Sequence, residues 1–218
     1  MYTGVFEGKN TKNQQKRILI LGESHHYETE STQKVVDGYL DKCRREGHAE
    51  KCHEFFDQIV RAFGKDPETE REVFWSSVWF GNYIDELCGV GDSTAVNLLE
   101  NKNNRKKYND ALFDFVAEKE ICVIFCFSRR VYNHLPSLAK RSDEREERIN
   151  DKIYLLTKDG KQKTDYISYC KYLPGLSHDH TTKELKDTLE VYGMLHPSGR
   201  YGFNPENYAP TLSKCIRF

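Results

Sequence analysis

The stretch Arg17–Tyr27, RILILGESHHY, decides the fold of this 218-residue chain. A short apolar run ends at Gly22 and is followed at once by protonatable side chains. A continuous apolar run that stops at a turn residue is typical of a buried strand in a parallel sheet. Because parallel sheets bind ligands beyond the carboxyl ends of their strands, the stretch predicts a strand that delivers chemistry to such an edge.

The rest of the chain alternates apolar runs of helical and strand spacing. Helices are predicted over 32–45, 52–63, 105–118, 129–135 and 181–192, with a last helix running from Pro205 toward Cys215. Strands are predicted over 74–84, 121–127, 152–156 and 166–169, and residues 1–15 are predicted to be a loose arm. Strands that alternate with helices favour a three-layer α/β/α domain with a central, mostly parallel sheet, and the length suits a single domain over 1–218.

Composition limits the class of protein. The formal net charge is −1, from 33 Lys and Arg against 34 Asp and Glu, so the chain is not a generally basic nucleic-acid-binding protein, although a local basic patch remains possible. Seven cysteines without CxxC spacing disfavour a zinc ribbon or a four-cysteine iron–sulfur cluster. No apolar signal segment and no run long enough to span a bilayer is present, so we expect a cytoplasmic protein that does not insert into a membrane. We also expect a monomer that needs no cofactor.

The first cluster of candidate site residues is Gly22–Tyr27. Gly22 permits a tight turn and the close approach of a ligand to the backbone. Glu23 can position water or accept a proton, and Ser24 can orient water or donate to a leaving group. The alternative is a strand end whose polar groups cap the next helix, but five consecutive polar or titratable groups exceed what a cap requires.

Two further clusters follow later in the chain. Asn82 comes near the end of a predicted strand, and its amide offers both a donor and an acceptor to the edge of an amide-like ring. His196 is followed by a proline in a late loop, where it can donate to a developing oxyanion. Ser198 and Arg200, in the same loop, suit phosphate contacts.

In this order, the motifs resemble those of the uracil-DNA glycosylase superfamily. Gly22–Tyr27 is similar to its first motif, and Asn82 falls where its base-reading Asn would lie. The strand 121–127 with the following SRRVYNHLP at 128–136 resembles its hydrophobic strand and next helix, and His196-Pro197-Ser198 matches its second motif. The position that carries Asp in the best-known branch is Ser24 here, which favours a damaged or modified base over plain uracil.

The resemblance implies a uracil-DNA glycosylase-like fold and a hydrolase of DNA repair by base excision. Such an enzyme cleaves the N-glycosidic bond of a base that is flipped out of DNA. The implied catalytic residues are Glu23, Ser24 and His196, of which His196 stabilises the departing base while the other two hold water. The implied base-binding residues are Gly22, His25, His26, Tyr27 and Asn82, and the implied DNA contacts are Arg129, Arg130, Ser198 and Arg200.

Two other classes of protein remain open from the residues alone. One is a non-catalytic relative that binds a nucleobase or DNA, because a resemblance of motifs does not by itself carry an activity. The other is a metal-dependent hydrolase, since histidines and an aspartate are available as ligands: His25, His26, His178, Asp179, His180 and His196.

Overall fold

The computed structural model describes residues 4–25, 31–88, 92–136, 148–156, 160–174, 185–198 and 202–215. These residues form the strands β1 Val5–Glu7, β2 Ile18–His25, β3 Trp79–Leu87, β4 Val123–Cys126, β5 Arg148–Leu156, β6 Gln162–Tyr172 and β7 Leu189–Gly193. The helices are α1 Thr32–Glu46, α2 Glu54–Ala62, α3 Arg71–Ser76, α4 Asp92–Glu100, α5 Lys102–Lys119, α6 Arg129–His134 and α7 Pro205–Cys215.

The strands form one mixed sheet in the order β1-β3-β2-β4-β7-β6-β5. Its centre is parallel, because β2 pairs in parallel with both β3 and β4, and β4 pairs in parallel with β7. The edge strands β1, β6 and β5 pair antiparallel with their neighbours. The predicted parallel pairing is confirmed for the centre only, because the sheet as a whole is mixed rather than mostly parallel. The carboxyl ends of β3, β2, β4 and β7 meet at one edge of the sheet.

Helices cover both faces of the sheet, because successive side chains of a strand point to opposite sides. On β2, Ile18 and Ile20 belong to a first hydrophobic core, with buried residues of α1, α2, α3 and α7. Leu19 and Leu21 belong to a second core, with buried residues of α4, α5 and α6. Strands that are apolar on both faces therefore explain the continuous apolar runs of the sequence.

The predicted helix over 181–192 is wrong in its later part. Leu189–Gly193 form β7, a strand of the parallel centre, and 181–184 lie outside the described residues. Leu189 and Val191 are buried in the second core, while Tyr192 is buried in the first. Periodicity alone cannot tell whether a short apolar run forms a helix or a strand. Here the run is buried on both of its faces, which favours a strand in the centre of the sheet.

Two other predictions need correction. The aromatic run that starts at Phe74 begins as helix α3, and the strand starts only at Trp79, because packing of Phe74 and Trp75 in the first core overrides strand propensity. The predicted loose arm contains β1, whose Phe6 is buried against the first core. The polar composition of this arm hid two apolar residues, Val5 and Phe6, which pair with β3 and pack on opposite faces of the sheet.

Candidate functional site

The segments that carry the candidate residues lie at the carboxyl edge of the parallel strands. Gly22 and Glu23 are in the last part of β2, and Asn82 is on β3 directly opposite Gly22 in the ladder. Ser128 follows β4, and His196 follows β7. Parallel pairing of these four strands therefore places residues from distant parts of the sequence along one sheet edge.

Gly22 and Asn82 form the most constrained contact of this edge. A Cβ atom on Gly22 would lie 2.5 Å from Oδ1 of Asn82 and 3.6 Å from Cζ of Phe80. Any side chain at position 22 would therefore clash with the Asn82 amide. The amide is 8% exposed. Glycine at position 22 is what allows this nearly buried amide to lie over β2.

His196 is held in a defined orientation. Its Nδ1 accepts a hydrogen bond from the backbone N–H of Ser198 at 3.2 Å. In the neutral ring, an accepting Nδ1 places the proton on Nε2, so that Nε2–H becomes the donor. The ring is half-buried and tilted against Phe55, with the ring centroids 5.3 Å apart. His196 is thus an oriented hydrogen-bond donor at the sheet edge.

Phe55 of α2 links the histidine to the asparagine. Its ring centroid lies 5.3 Å from that of His196 and 6.2 Å from that of Phe80, which flanks Gly22. We call Gly22, Phe55, Phe80, Asn82 and His196 the α2-side group. The sequence analysis placed Phe55 only within the predicted helix 52–63, and its one distinguishing property is that it is half-buried while the neighbouring Phe56 is core.

Glu23 belongs to a different set of contacts. Oγ of Ser128 donates to its Oε2 at 2.6 Å, and Nη1 of Arg130 lies 3.1 Å from its Oε1. Ser128 also caps α6, since its Oγ accepts from the backbone N–H of Val131 at 3.2 Å. We call Glu23, Ser128 and Arg130 the α6-side group. Ser128 is thus a functional-site residue that the sequence analysis did not single out.

The two groups face opposite helix layers. Alternation along β2 places Gly22 on the face of the first core and Glu23 on the face of the second. The His196 ring contacts α2, whereas the Glu23 carboxylate contacts the first turn of α6. The structure therefore brings Gly22 and Asn82 together, connects them to His196 through the rings of Phe80 and Phe55, and gives Glu23 neighbours of its own.

Ser24 lies beside a thiol. Burial raises the pKa of Cys88, and a side-chain hydrogen bond with Ser24 acts in the opposite direction. Burial also raises the pKa of Cys126, at the end of β4, to about 12. Because the thiolate is the nucleophilic form of cysteine, neither thiol suits covalent catalysis near neutral pH.

The predicted DNA contacts at Arg129 and Arg130 have partners within the protein. Nη2 of Arg129 donates to the carbonyl oxygen of Tyr166 at 2.7 Å, and its Cζ lies 4.7 Å from the Tyr166 ring centroid. Arg130 pairs with Glu23. Ser198 is exposed in the loop after β7. The two arginines therefore connect α6 to the ribbon of β5 and β6 on one side and to β2 on the other.

Several predicted residues lie outside the described part of the chain: His26, Tyr27, His178, Asp179, His180 and Arg200. For His25 only the backbone is described, as part of β2. Among the described residues, no group of three or more His, Cys, Asp or Glu is arranged to hold a metal ion. The metal-dependent hydrolase stays an untested hypothesis, because most of its proposed ligands are not described.

Comparison with models of known families and with curated proteins finds no match to this chain. Within the described residues, no helix combines the length and apolar character that crossing a membrane requires.

Proposed function

We propose that the protein is a DNA glycosylase, which hydrolyses the N-glycosidic bond of a damaged or modified base flipped out of DNA. The observation that supports this proposal is the α2-side group. It combines a nearly buried amide over Gly22, two aromatic rings and an oriented imidazole donor in one run of contacts. A planar, hydrogen-bonding ring is the ligand that such a combination suits.

In this proposal, the base is bound by its face and its edge. Phe55 supplies a half-buried ring on which the base stacks. Asn82 hydrogen-bonds the base edge, and its amide accepts and donates at the same time. Gly22 leaves the space that the amide and the base require. A site built to hydrogen-bond a particular edge discriminates strongly against bases that lack the matching groups.

His196 acts on the departing base. As the bond between C1′ of the sugar and the base nitrogen breaks, its electron pair stays on the base and negative charge develops there. The Nε2–H of His196 donates to that charge, and the hydrogen bond between Nδ1 and Ser198 holds the ring in place. Removal of a donor aimed at a developing oxyanion typically lowers the rate about 100- to 1000-fold.

Water supplies the oxygen that forms the new bond at C1′. In this proposal, Glu23, assisted by Ser24, holds the water and takes up its proton. A carboxylate offers about four lone-pair sites. Ser128 contacts one oxygen of the Glu23 carboxylate and Arg130 contacts the other, so together they fix the orientation of the carboxylate. Each oxygen keeps a lone pair that can accept a hydrogen bond from water. The arrangement suits a carboxylate that acts at the strand tip, past the end of the pairing with β4.

The test is His196→Ala, assayed for abasic sites on a panel of normal, deaminated and hypermodified DNAs. We expect base release to fall about 100- to 1000-fold while DNA binding is largely retained, because the donor is lost but the pocket remains. His48→Ala is the matched control, since His48 is exposed after α1 and belongs to neither the α2-side group nor the α6-side group. Full base release by His196→Ala would contradict the proposal.

One observation favours a second candidate, a non-catalytic protein that binds a nucleobase or DNA. The Glu23 carboxylate is held by Ser128 and Arg130 on the α6 side, whereas His196 lies on the α2 side. If this separation persists with DNA bound, the base is held without a positioned water. The wild-type protein would then bind DNA but produce no abasic sites on any member of the panel. Glu23→Gln would leave the affinity for DNA unchanged.

A further inference from the structure

A two-stranded ribbon extends past the carboxyl edge of the parallel strands. The last pair between β6 and β7 joins Ser168 to Gly193, after which β7 ends and the chain continues to His196. Residues 162–167 of β6 lie beyond that pair, and Gln162, Tyr166 and Ile167 pair with β5 on either side of a bulge. At about 3.4 Å per residue, the four residues of β5 that lie beyond the same pair, 153–156, project by roughly 14 Å on the side where the candidate site lies.

The two faces of this ribbon differ. Ile153, Leu155 and Ile167 pack against the first core, and Nζ of Lys163 donates to Oδ1 of Asn207 on α7. Alternation places Lys152, Tyr154, Gln162, Thr164 and Tyr166 on the opposite face, which we call the ribbon face. That face carries no carboxylate among its described strand residues.

Cations and aromatic rings are layered on the ribbon face. Two cations lie close to the Tyr166 ring, with Cζ of Arg129 at 4.7 Å and Nζ of Lys152 at 4.5 Å from its centroid. Tyr154 is directly opposite Tyr166 in the ladder, and the two ring centroids are 6.1 Å apart. Tyr154 is 42% exposed, which is unusual here because most large apolar side chains are buried.

This combination matches single-stranded nucleic acid more closely than other partners. Such strands bind where cations follow the phosphates and aromatic rings stack on the bases. A helix or a hydrophobic peptide would need a continuous apolar surface, whereas Lys152, Gln162 and Thr164 are all exposed here. A duplex hides its base faces by stacking them on one another, so it has nothing to offer the exposed Tyr154 ring.

We propose that the ribbon face binds a single strand of DNA beside the site, with a base stacked on Tyr154 and a phosphate at Lys152. The choice of DNA rests on the proposed function, whereas the binding of a single strand rests on the ribbon itself. Arg129 links the two, because it anchors Tyr166 from the first turn of α6, one residue before the partner of Glu23. The bound strand thus runs from the ribbon toward the α6-side group at the sheet edge.

The experiment measures binding of fluorescein-labelled oligothymidylate by fluorescence anisotropy over a range of salt concentrations. Tyr154→Ala should weaken binding about tenfold at every salt concentration, because it removes a stacking platform but no charge. Tyr154→Phe keeps the ring and should bind like the wild type. Lys152→Gln should lower the slope of log affinity against log salt by about 0.7, the value for one phosphate contact on a single strand.

Lys186→Gln is the matched control for charge. Lys186 is exposed and pairs with Glu120 just before β4, at the amino edge of the sheet, so the same charge change there should leave the slope unaltered. A blunt duplex should bind more weakly than the single strand, and Tyr154→Ala should leave the affinity for the duplex unchanged.

Unchanged binding by Tyr154→Ala and Lys152→Gln would overturn the ribbon proposal, as would a wild-type protein that does not bind the oligonucleotide. The same measurements distinguish failure of the ribbon proposal from failure of the glycosylase proposal. A protein that binds through Tyr154 and Lys152 but releases no base supports the ribbon and contradicts catalysis. A protein that releases bases at the wild-type rate in both ribbon variants, with unchanged binding, supports catalysis and overturns the ribbon.

Discussion

Two arginine–carboxylate pairs lie on opposite faces of the same sheet and differ in how they are enclosed. Arg71 and Asp57 pair between α3 and α2, with side chains 7% and 8% exposed, and both groups also contact the hydroxyl of Tyr39. Arg130 and Glu23 pair at the carboxyl edge of the sheet, with side chains 33% and 14% exposed. The first pair is closed on all sides, while the second is partly open.

The difference shows how the same chemistry serves structure in one place and is available for function in another. A fully enclosed pair stabilises the packing of three helices only while both partners and their hydrogen bonds are complete. A pair at the end of a parallel strand is held by a helix cap and still has acceptor capacity that reaches the sheet edge. The three predictions that follow test this contrast.

The largest effect is expected from Asp57→Ala. It leaves the Arg71 guanidinium buried without its carboxylate, which typically costs about 3–5 kcal/mol in the free energy of unfolding. Glu23→Ala should cost only about 1 kcal/mol, because Arg130 can turn toward water. Urea unfolding of both variants measures the difference. Equal losses would show that the two pairs are enclosed alike.

A smaller effect is expected from Ser128→Ala. Its hydroxyl caps α6 and also donates to Glu23, so we expect a loss of about 1–2 kcal/mol in the free energy of unfolding. Ser31→Ala is the matched control, since Ser31 caps α1 by accepting from the backbone N–H of Lys34 at 3.4 Å. Were the two variants equally destabilised, the bond to Glu23 would contribute nothing to stability.

The smallest effect concerns alkaline pH. Burial, reinforced by the hydrogen bond to Asp57, raises the pKa of Tyr39 above its ordinary value of 10.0. The unfolded chain therefore loses this proton while the folded protein keeps it, so stability present below about pH 10 is lost as the pH rises further. Tyr39→Phe should make the decline shallower, by at most about 1.4 kcal/mol per pH unit.

The measurement is the urea midpoint at several pH values above neutrality. Ser128→Ala should leave the steepness of the alkaline decline unchanged, because the α6-side group contains no phenol. A decline of the same steepness in Tyr39→Phe and in the wild type would show that this phenol ionises as easily in the folded protein as in the unfolded chain.

The local chemistry of the motifs could be predicted from the sequence. An apolar run ending in Gly22 indicated a buried strand and a reactive edge, and the helical spacing in α1, α2, α5 and α7 indicated amphipathic helices. The parallel centre of the sheet followed from the alternation of strands and helices, whereas its antiparallel edges did not. These properties depend on neighbouring residues along the chain, so the sequence alone determines them.

Other properties depended on partners that are distant in the sequence. Leu189–Gly193 forms a strand because residues of both cores bury it. Phe6 anchors the first segment of the chain because β1 pairs with β3. The resemblance of motifs implied that Glu23 and His196 act in one catalytic site, and alternation along β2 turned Glu23 toward Ser128 and Arg130. The amide of Asn82 could lie over Gly22 only through the register of β2 and β3. Residue types determined which chemistry is present, and only tertiary packing decided which groups meet, because strand order and register join residues that no local pattern relates.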